Sequence, residues 1–227
     1  MANPSVSVIL PTYNRPGYLA RALASVRAQT FLDYEIIVVN DGGEEVRKLC
    51  DLFGPVIYKS HGENRGLPAA RNAGIRLASG RYIAYLDDDD VWLSKHLSKL
   101  VGLRMRTACK LVYSDSYFWQ EEKEFYLLLS EEYSKQNLLG QNLTPCSSIL
   151  HDRDLFEVAG YFDESLPNHE DYDMWLRMSE FTDFEHLPEV TALYSKRMGS
   201  DQMSMDLPFM ASQREEVQAR HRERIGL

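Results

Sequence analysis

A chain of 227 residues has room for one domain plus an elaboration, and its 44% hydrophobic and 11% aromatic residues can build a sizeable core. Twenty-five basic against thirty-four acidic residues leave a net charge of −9, which argues against a general nucleic-acid binder, since that needs a basic footprint. Cys50, Cys109 and Cys146 lie far apart with no CxxC pair, so they predict buried free thiols in a reducing compartment rather than zinc ligands or disulfides.

In chain order, Val6–Leu10 is a β-branched run stopped by Pro11 and predicts a buried strand. Arg15-Pro16-Gly17 opens a helix through Gln29, with Leu19, Leu23 and Val26 on one face. Ile36–Val39 is a continuous apolar run, expected of a central parallel strand. A helix over 44–53, a strand over 56–58 and a helix over 67–78 follow, the last with Ala70, Gly74 and Leu77 as a small-residue packing face. Tyr82–Leu86 predicts a strand, 93–107 a helix and 111–113 a strand. Beyond that the pattern is less regular: strands over 125–129 and 190–194, and helices over 154–158, 171–180 and 208–225. The alternation in the first half implies an α/β fold with a mostly parallel sheet. No repeat or low-complexity linker divides the chain, and no apolar run is long enough to span a bilayer. The first residues lack the basic and apolar regions of a signal peptide, which predicts a cytoplasmic protein.

Ligands of open α/β sheets collect beyond the C-terminal strand ends. Three polar clusters fall there: Pro11-Thr12-Tyr13-Asn14-Arg15, Asn40-Asp41-Gly42-Gly43, and Asp87-Asp88-Asp89-Asp90. Four adjacent carboxylates resist ionisation unless a cation is near. In an extended segment Asp87 and Asp89 point the same way, as hard oxygen ligands suited to Mn²⁺ or Mg²⁺, while Asp90 is placed to cap the helix ahead. A carboxylate at Asp41 can accept N–H donors, though an aspartate before glycines is also an ordinary turn. Asn64 and Arg71 are placed to meet a ligand, or to pack beside one. Glu170, Asp171 and Asp173 begin a helix whose positive end favours an ionised base; capping accounts for at least one of them. The six histidines form no metal-binding pattern and read as solvated or locally satisfied, and Tyr172 and Trp175 read as core. There is no GxGxxG after the first strand, no GxxxxGK[ST] and no GxSxG.

Taken together, Ser7–Asn14, Gln29-Thr30, Glu35–Gly42, Asn64–Gly66 with Ala70–Asn72 and Gly74, Asp87–Trp92, Gly160–Glu164, and Glu170-Asp171 with Trp175 and Arg177 resemble family-2 glycosyltransferases of the GT-A fold. The resemblance runs from about residue 5 to residue 178. It implies a single GT-A domain over 1–227, with a nucleotide-sugar-binding half (1–115), an acceptor-binding half (116–205) and a charged C-terminal helix (206–227). It implies an inverting, metal-dependent transferase using a nucleotide-diphospho-sugar, UDP-sugar before dTDP-sugar, and a saccharide or lipid-linked acceptor, in polysaccharide, O-antigen or other cell-surface glycan synthesis. Pro11, Thr12, Tyr13, Asn14, Asp41, Asn64, Arg71, Asp87 and Asp88 would bind the nucleotide-sugar. Asp87 and Asp89 would hold the metal, Asp171 would be the general base, and Glu170 would hold acceptor or shape the site. A YRxH-like segment of many relatives is replaced here by Tyr194-Ser-Lys196-Arg197-Met, so Lys196 or Arg197 would stand in as phosphate counter-charge. Two rivals remain open: a sugar nucleotidyltransferase, against which the first loop lacks a Gly-rich basic segment, and a non-catalytic nucleotide-sugar-binding module. The final helix, with Arg214, Arg220, Arg222 and Arg224, reads as a solvated charged face, or as a link to a further domain or the inner face of a membrane.

Overall fold

The computed structural model describes residues 3–120, 125–195 and 207–225. Lys196 and Arg197 lie outside them. Strands β1 (Val6–Thr12), β2 (Tyr34–Asn40), β3 (Ile57–Ser60) and β4 (Tyr82–Tyr85) form a parallel sheet in the order β3-β2-β1-β4. Helices α1 (Pro16–Arg27), α2 (Arg47–Asp51) and α3 (Leu67–Leu77) connect them. The chain winds outward through β1, β2 and β3, then returns to place β4 on the other side of β1. That reversal opens a crevice at the C-terminal ends of β1 and β4.

The sheet continues past β4 through antiparallel β8 (Ile149–Asp152) to β6 (Leu111–Gln120), which runs parallel to β9 (Phe184–Ser195). The two-residue β5 (Val91–Trp92) closes one edge on β9, and β7 (Phe125–Leu129) pairs with β6 as a hairpin. The remaining helices are α4 (His96–Arg104), α5 (Lys135–Gly140), α6 (Leu155–Ala159), α7 (Glu170–Met178) and α8 (Leu207–Ile225). Alternation along the strands divides the core. Ile9, Ile37, Val39, Ile83 and Tyr85 face α3 and α7, while Val8, Leu10, Ile36, Val38 and Ala84 face α1 and α4.

Gly74 lets α3 lie close on β1, because a Cβ there would meet Ile9 Cγ2 at 2.6 Å. Pro68 in the first turn and a left-handed Gly66 (φ 92°) start the same helix. β5, α5 and β8 were not anticipated from the sequence, and β9 begins at Phe184 rather than at 190. The strand tolerates Pro188 because the β6–β9 register shifts there: Ser114 pairs with Leu187 and Asp115 with Val190, so Pro188 sits in a bulge that needs no N–H. The cysteines are free, with Cys109 only half-buried.

Two surface readings change. Four histidines are drawn inward: His96 and His151 are fully buried, and the Nε2 atoms of His221 and His186 lie 2.9 and 2.7 Å from Asp173 and Asp115. α8 is not simply solvated. Val217, Gln218 and His221 are buried, with Gln218 donating to the Gly140 carbonyl (2.9 Å) and His221 Nε2 lying 2.9 Å from Asp173 on α7. No helix among the described residues is long and apolar enough to cross a membrane.

Candidate active site

At the mouth of the crevice, Asp87–Asp90 form a turn, not an extended strand: the Asp90 N–H donates to the Asp87 carbonyl (3.0 Å). Each carboxylate therefore points to a different partner. Asp87 accepts two bonds from one guanidinium nitrogen of Arg71 (2.7 and 3.0 Å). Asp88 accepts from the Thr12 hydroxyl (2.7 Å) and from Arg15 (3.2 Å), and Asp89 accepts from the same Arg15 nitrogen (3.1 Å). Asp90 does not cap a helix; it is buried, accepting from Ser147 and from the Ser195 N–H (2.9 Å). Burial, reinforced by the charge of Asp89, pushes the Asp88 carboxyl up to about 6; burial, then Asp89 and Asp87, drives Asp90 well above the usual range. The Asp87 and Asp89 side chains stay open to the crevice, 24% and 13% exposed.

This turn borders a cavity of about 640 Å³ with Pro11, Thr12, Tyr13 and Asp41 on one side and Glu164–Pro167 on the other. Tyr13 is 45% exposed, a free ring at the wall. Asp41 is buried and occupied: His61 Nδ1 lies 2.7 Å from it, and the N–H groups of Arg65 and Gly66 donate to it (3.1 and 2.8 Å). It thereby fixes the 61–66 loop, whose Asn64, Arg65 and Gly66 line the same cavity. Gly42 is needed for this closure. Its φ is +80°, and a Cβ would lie 2.2 Å from the Glu63 carbonyl carbon. Asn64 lines the cavity but spends its side-chain oxygen on the Gly66 N–H (3.1 Å). Asn14 does not line it; its side chain accepts from the Glu44 N–H (2.7 Å) and ties the β1 loop to the β2 loop.

A second cavity, of about 490 Å³, adjoins the first and shares Leu67, Asp87 and Tyr194 with it. Glu170 and Asp171, at the start of α7, belong to this one. Asp171 accepts from Asn142 (3.1 Å) and from the Tyr172 N–H (2.7 Å). Glu170 is buried and takes 2.5 Å from Arg71; burial pushes its carboxyl up to about 7 against the pull of that guanidinium. Arg71 borders this second cavity and not the first, and it joins Asp87 to Glu170 rather than standing free for a ligand.

Several supporting residues were given no role from the sequence, although Arg15, Gln29 and Asn72 stood in its motifs. Arg15 was visible as a cation in the first polar cluster, but its two aspartate partners lie more than seventy positions away. Asn142 and Ser147 carry no local signal. Asn72 donates to the Phe162 carbonyl (2.9 Å) and accepts the Phe162 N–H (3.0 Å), so α3 pins the Gly160–Glu164 loop against the cavity. Gln29 bridges the Leu93 carbonyl (2.9 Å) and the Leu97 N–H (3.0 Å), holding the chain just after the aspartate turn.

The crevice lies at the sheet's topological switch point, where α/β enzymes take their ligands, with the aspartate turn on its wall and Glu170 and Asp171 in the wall of the adjoining cavity. The Glycosyl transferase family 2 model matches residues 7–156, and the chain belongs to that family. It is 31% identical over 233 residues to the uncharacterised glycosyltransferase YwdF of Bacillus subtilis, covering 98% of this chain and 84% of that one. It is 33% identical over 186 residues to the uncharacterised glycosyltransferase RP339 of Rickettsia prowazekii, covering 77% of this chain but 58% of that one. The fold is that of GT-A glycosyltransferases. Crystal structures of S. aureus TarS in complex with UDP (TM-score 0.78, 18% identity) and of the mannosyltransferase PcManGT from Pyrobaculum calidifontis in complex with GDP-Man and Mn²⁺ (TM-score 0.69, 17% identity) share it. They overlay 98% and 99% of this chain, which spans 67% and 64% of theirs.

Proposed function

We propose that this glycosyltransferase moves a sugar from a nucleoside-diphosphate donor, UDP-sugar before dTDP-sugar, to an acceptor hydroxyl with inversion and with the help of Mn²⁺ or Mg²⁺, as one GT-A domain in the cytoplasm. The observation that carries the reading is the meeting of two cavities at Asp87, with Asp89 in the wall of one and Asp171 in the wall of the other. Donor and acceptor would thus meet at a shared wall from two adjoining cavities, as a single displacement of one by the other requires. The acceptor oxygen forms its bond to the anomeric carbon as the bond to the diphosphate oxygen breaks, and the electron pair leaves with the diphosphate. Asp171 takes the acceptor proton, held by Asn142 and by the positive end of α7.

Asp87 and Asp89 are the residues that would hold the cation. The donor set suits an ion that keeps water and takes phosphate oxygens: two hard carboxylates open to the cavity, with no group of three or more His, Cys, Asp or Glu able to hold a metal among the described residues. Burial raises Asp88 first and its carboxylate neighbours Asp89 and Asp87 add to that, a crowding of negative charge that a cation beside them would offset. When bound, such an ion offsets charge on the departing diphosphate. Tyr13 and the Asp41-braced 61–66 loop would hold the base, while Pro11, Thr12 and Asp88 shape the wall beside it. UDP in TarS and GDP-Man with Mn²⁺ in PcManGT support a nucleotide in this crevice. Glycan synthesis at the cell surface is the process we assign it to.

Thermal denaturation with UDP, dTDP, GDP and their sugars, in Mn²⁺, Mg²⁺ or EDTA, tests the donor half. A ligand at one hundred times its Kd adds about 2.7 kcal/mol of stability. Asp89→Ala is expected to abolish the metal-dependent part of that shift. Asp171→Asn is expected to keep it and lower transfer by about 10²–10⁴-fold, the contribution of a positioned base. Full transfer by Asp171→Asn would sink the base assignment.

A further inference from the structure

Arg15 places a positive charge on the carboxylates to which a metal ion is assigned above. It is the residue just before α1, and its carbonyl accepts from the Leu19 N–H (3.0 Å), so its backbone belongs to the start of that helix. Its side chain reaches to the aspartate turn, where one guanidinium nitrogen lies 3.2 Å from Asp88 Oδ1 and 3.1 Å from Asp89 Oδ2. The same residue forms part of the wall of the first cavity.

The two carboxylates are not held alike. Asp88 is buried, and its other oxygen accepts from the Thr12 hydroxyl at the end of β1 (2.7 Å), so it keeps a partner if Arg15 turns away. Asp89 opens on the cavity, and the Arg15 side chain is 29% exposed. An ion pair that open to solvent is held weakly. One guanidinium divided between two carboxylates also leaves a negative charge over, and Asp87 has its own partner in Arg71. The turn therefore still attracts a divalent cation. An ion taken up by Asp89 would lie beside Arg15, like charge against like, and the two compete for that carboxylate. A diphosphate in the same cavity offers the guanidinium a better partner, because phosphate oxygens accept two of its N–H bonds at once.

We infer that Arg15 is a built-in counter-ion of the aspartate turn. It neutralises Asp88 and Asp89 in the free protein, and it passes to the donor's diphosphate when a divalent cation takes Asp89. The free protein thus holds a cation weakly, and cation and donor enter the cavity together. This rests on the assignment of Asp89 to the cation and of the first cavity to the donor.

Mn²⁺ is titrated into the ligand-free protein, with the unbound ion read from its electron paramagnetic resonance signal, and UDP is titrated calorimetrically at saturating Mn²⁺. Arg15→Met removes the charge and keeps an unbranched side chain. It is expected to bind Mn²⁺ about tenfold tighter and UDP about tenfold more weakly. Arg15→Lys keeps the charge and is expected to hold Mn²⁺ as weakly as the wild type does. The opposite signs set this role apart from a structural one, since a loosened turn would weaken both ligands. Mn²⁺ bound no more tightly by Arg15→Met overturns the inference, and so does UDP bound by that variant as tightly as by wild type. Wild type that binds Mn²⁺ but no UDP refutes the donor reading, and with it the passage of Arg15 to a diphosphate. Wild type that binds no Mn²⁺, with or without UDP, refutes the cation reading. In that case an Arg15→Met protein that gains Mn²⁺ still upholds Arg15 as the counter-ion, and one that does not overturns both.

Discussion

Burying a guanidinium almost completely is costly unless its charge is matched, and Arg71, 2% exposed, is matched twice, by Asp87 and by Glu170. The arginine holds the aspartate turn and the start of α7 at one spacing, with its guanidinium carbon 5.5 Å from the centre of the Phe162 ring. Arg71→Met would leave the buried Glu170 and the partly exposed Asp87 without their shared counter-charge. The expected loss is about 3–5 kcal/mol, read as a lower urea midpoint, because an unpaired buried charge costs more than the pair contributes. Adding Glu170→Gln to Arg71→Met is expected to recover part of that loss by removing one of the stranded charges. A double variant no more stable than Arg71→Met would mean that the arginine acts through packing instead.

At the level of elements, the first part of the chain was legible because β1, β2 and β4 are apolar runs and α1 carries a one-sided apolar stripe. The second half was not, because its elements take their identity from distant partners. β8 is four residues, Ile-Leu-His-Asp, and its polar pair is buried only because Tyr85 meets His151 (2.9 Å) and Arg104 clamps Asp152 (2.6 and 2.8 Å). The same holds for the site. The residue types at the strand ends could be read directly, whereas the Arg71–Glu170 bond joins positions ninety-nine apart. α8 shows the limit most clearly, since its composition is that of a solvated helix and only the tertiary contacts reveal the buried stripe. Its docking on α7 makes a testable claim. Val217→Asp puts an unpaired carboxylate into a fully buried position and is expected to detach α8, lowering the midpoint of thermal denaturation by several degrees. α7 carries Asp171 in its first turn, so transfer should fall further than UDP binding. Equal losses in both would argue that α8 supports the whole fold and not α7 in particular.

For the molecule as a whole, acidification acts through two opposed sets of groups. Burial holds His96 at about 3 and His151 at about 4, against 6.5 for an ordinary histidine. His151 is fixed in its neutral form, with the Asp152 carbonyl 2.8 Å from Nδ1 and the Tyr85 hydroxyl on Nε2. Below pH 6.5 the unfolded chain takes up protons at these two sites and the folded chain does not, so each withdraws about 1.4 kcal/mol of stability per pH unit. Asp88 and Glu170 act in the other direction. Their folded values of about 6 and about 7 lie above the ordinary carboxyl values, so the folded state binds their protons first and gains stability as pH falls toward 4. The wild-type profile mixes both, and a substitution separates them. His96 stacks on Trp92 with ring centroids 4.2 Å apart, bonds Thr191 through Nδ1 (2.7 Å) and leaves Nε2 without a hydrogen-bond partner, so a phenyl ring keeps the stack and removes the titration. Relative to wild type, His96→Phe is expected to gain about 1.4 kcal/mol per pH unit below 6.5, or about 2 kcal/mol at pH 5, in urea denaturation followed across that range. A stability difference that stays constant from pH 7 to pH 5 would show that the unfolded and folded states protonate His96 alike, and that the acid response of this fold lies in its carboxylates.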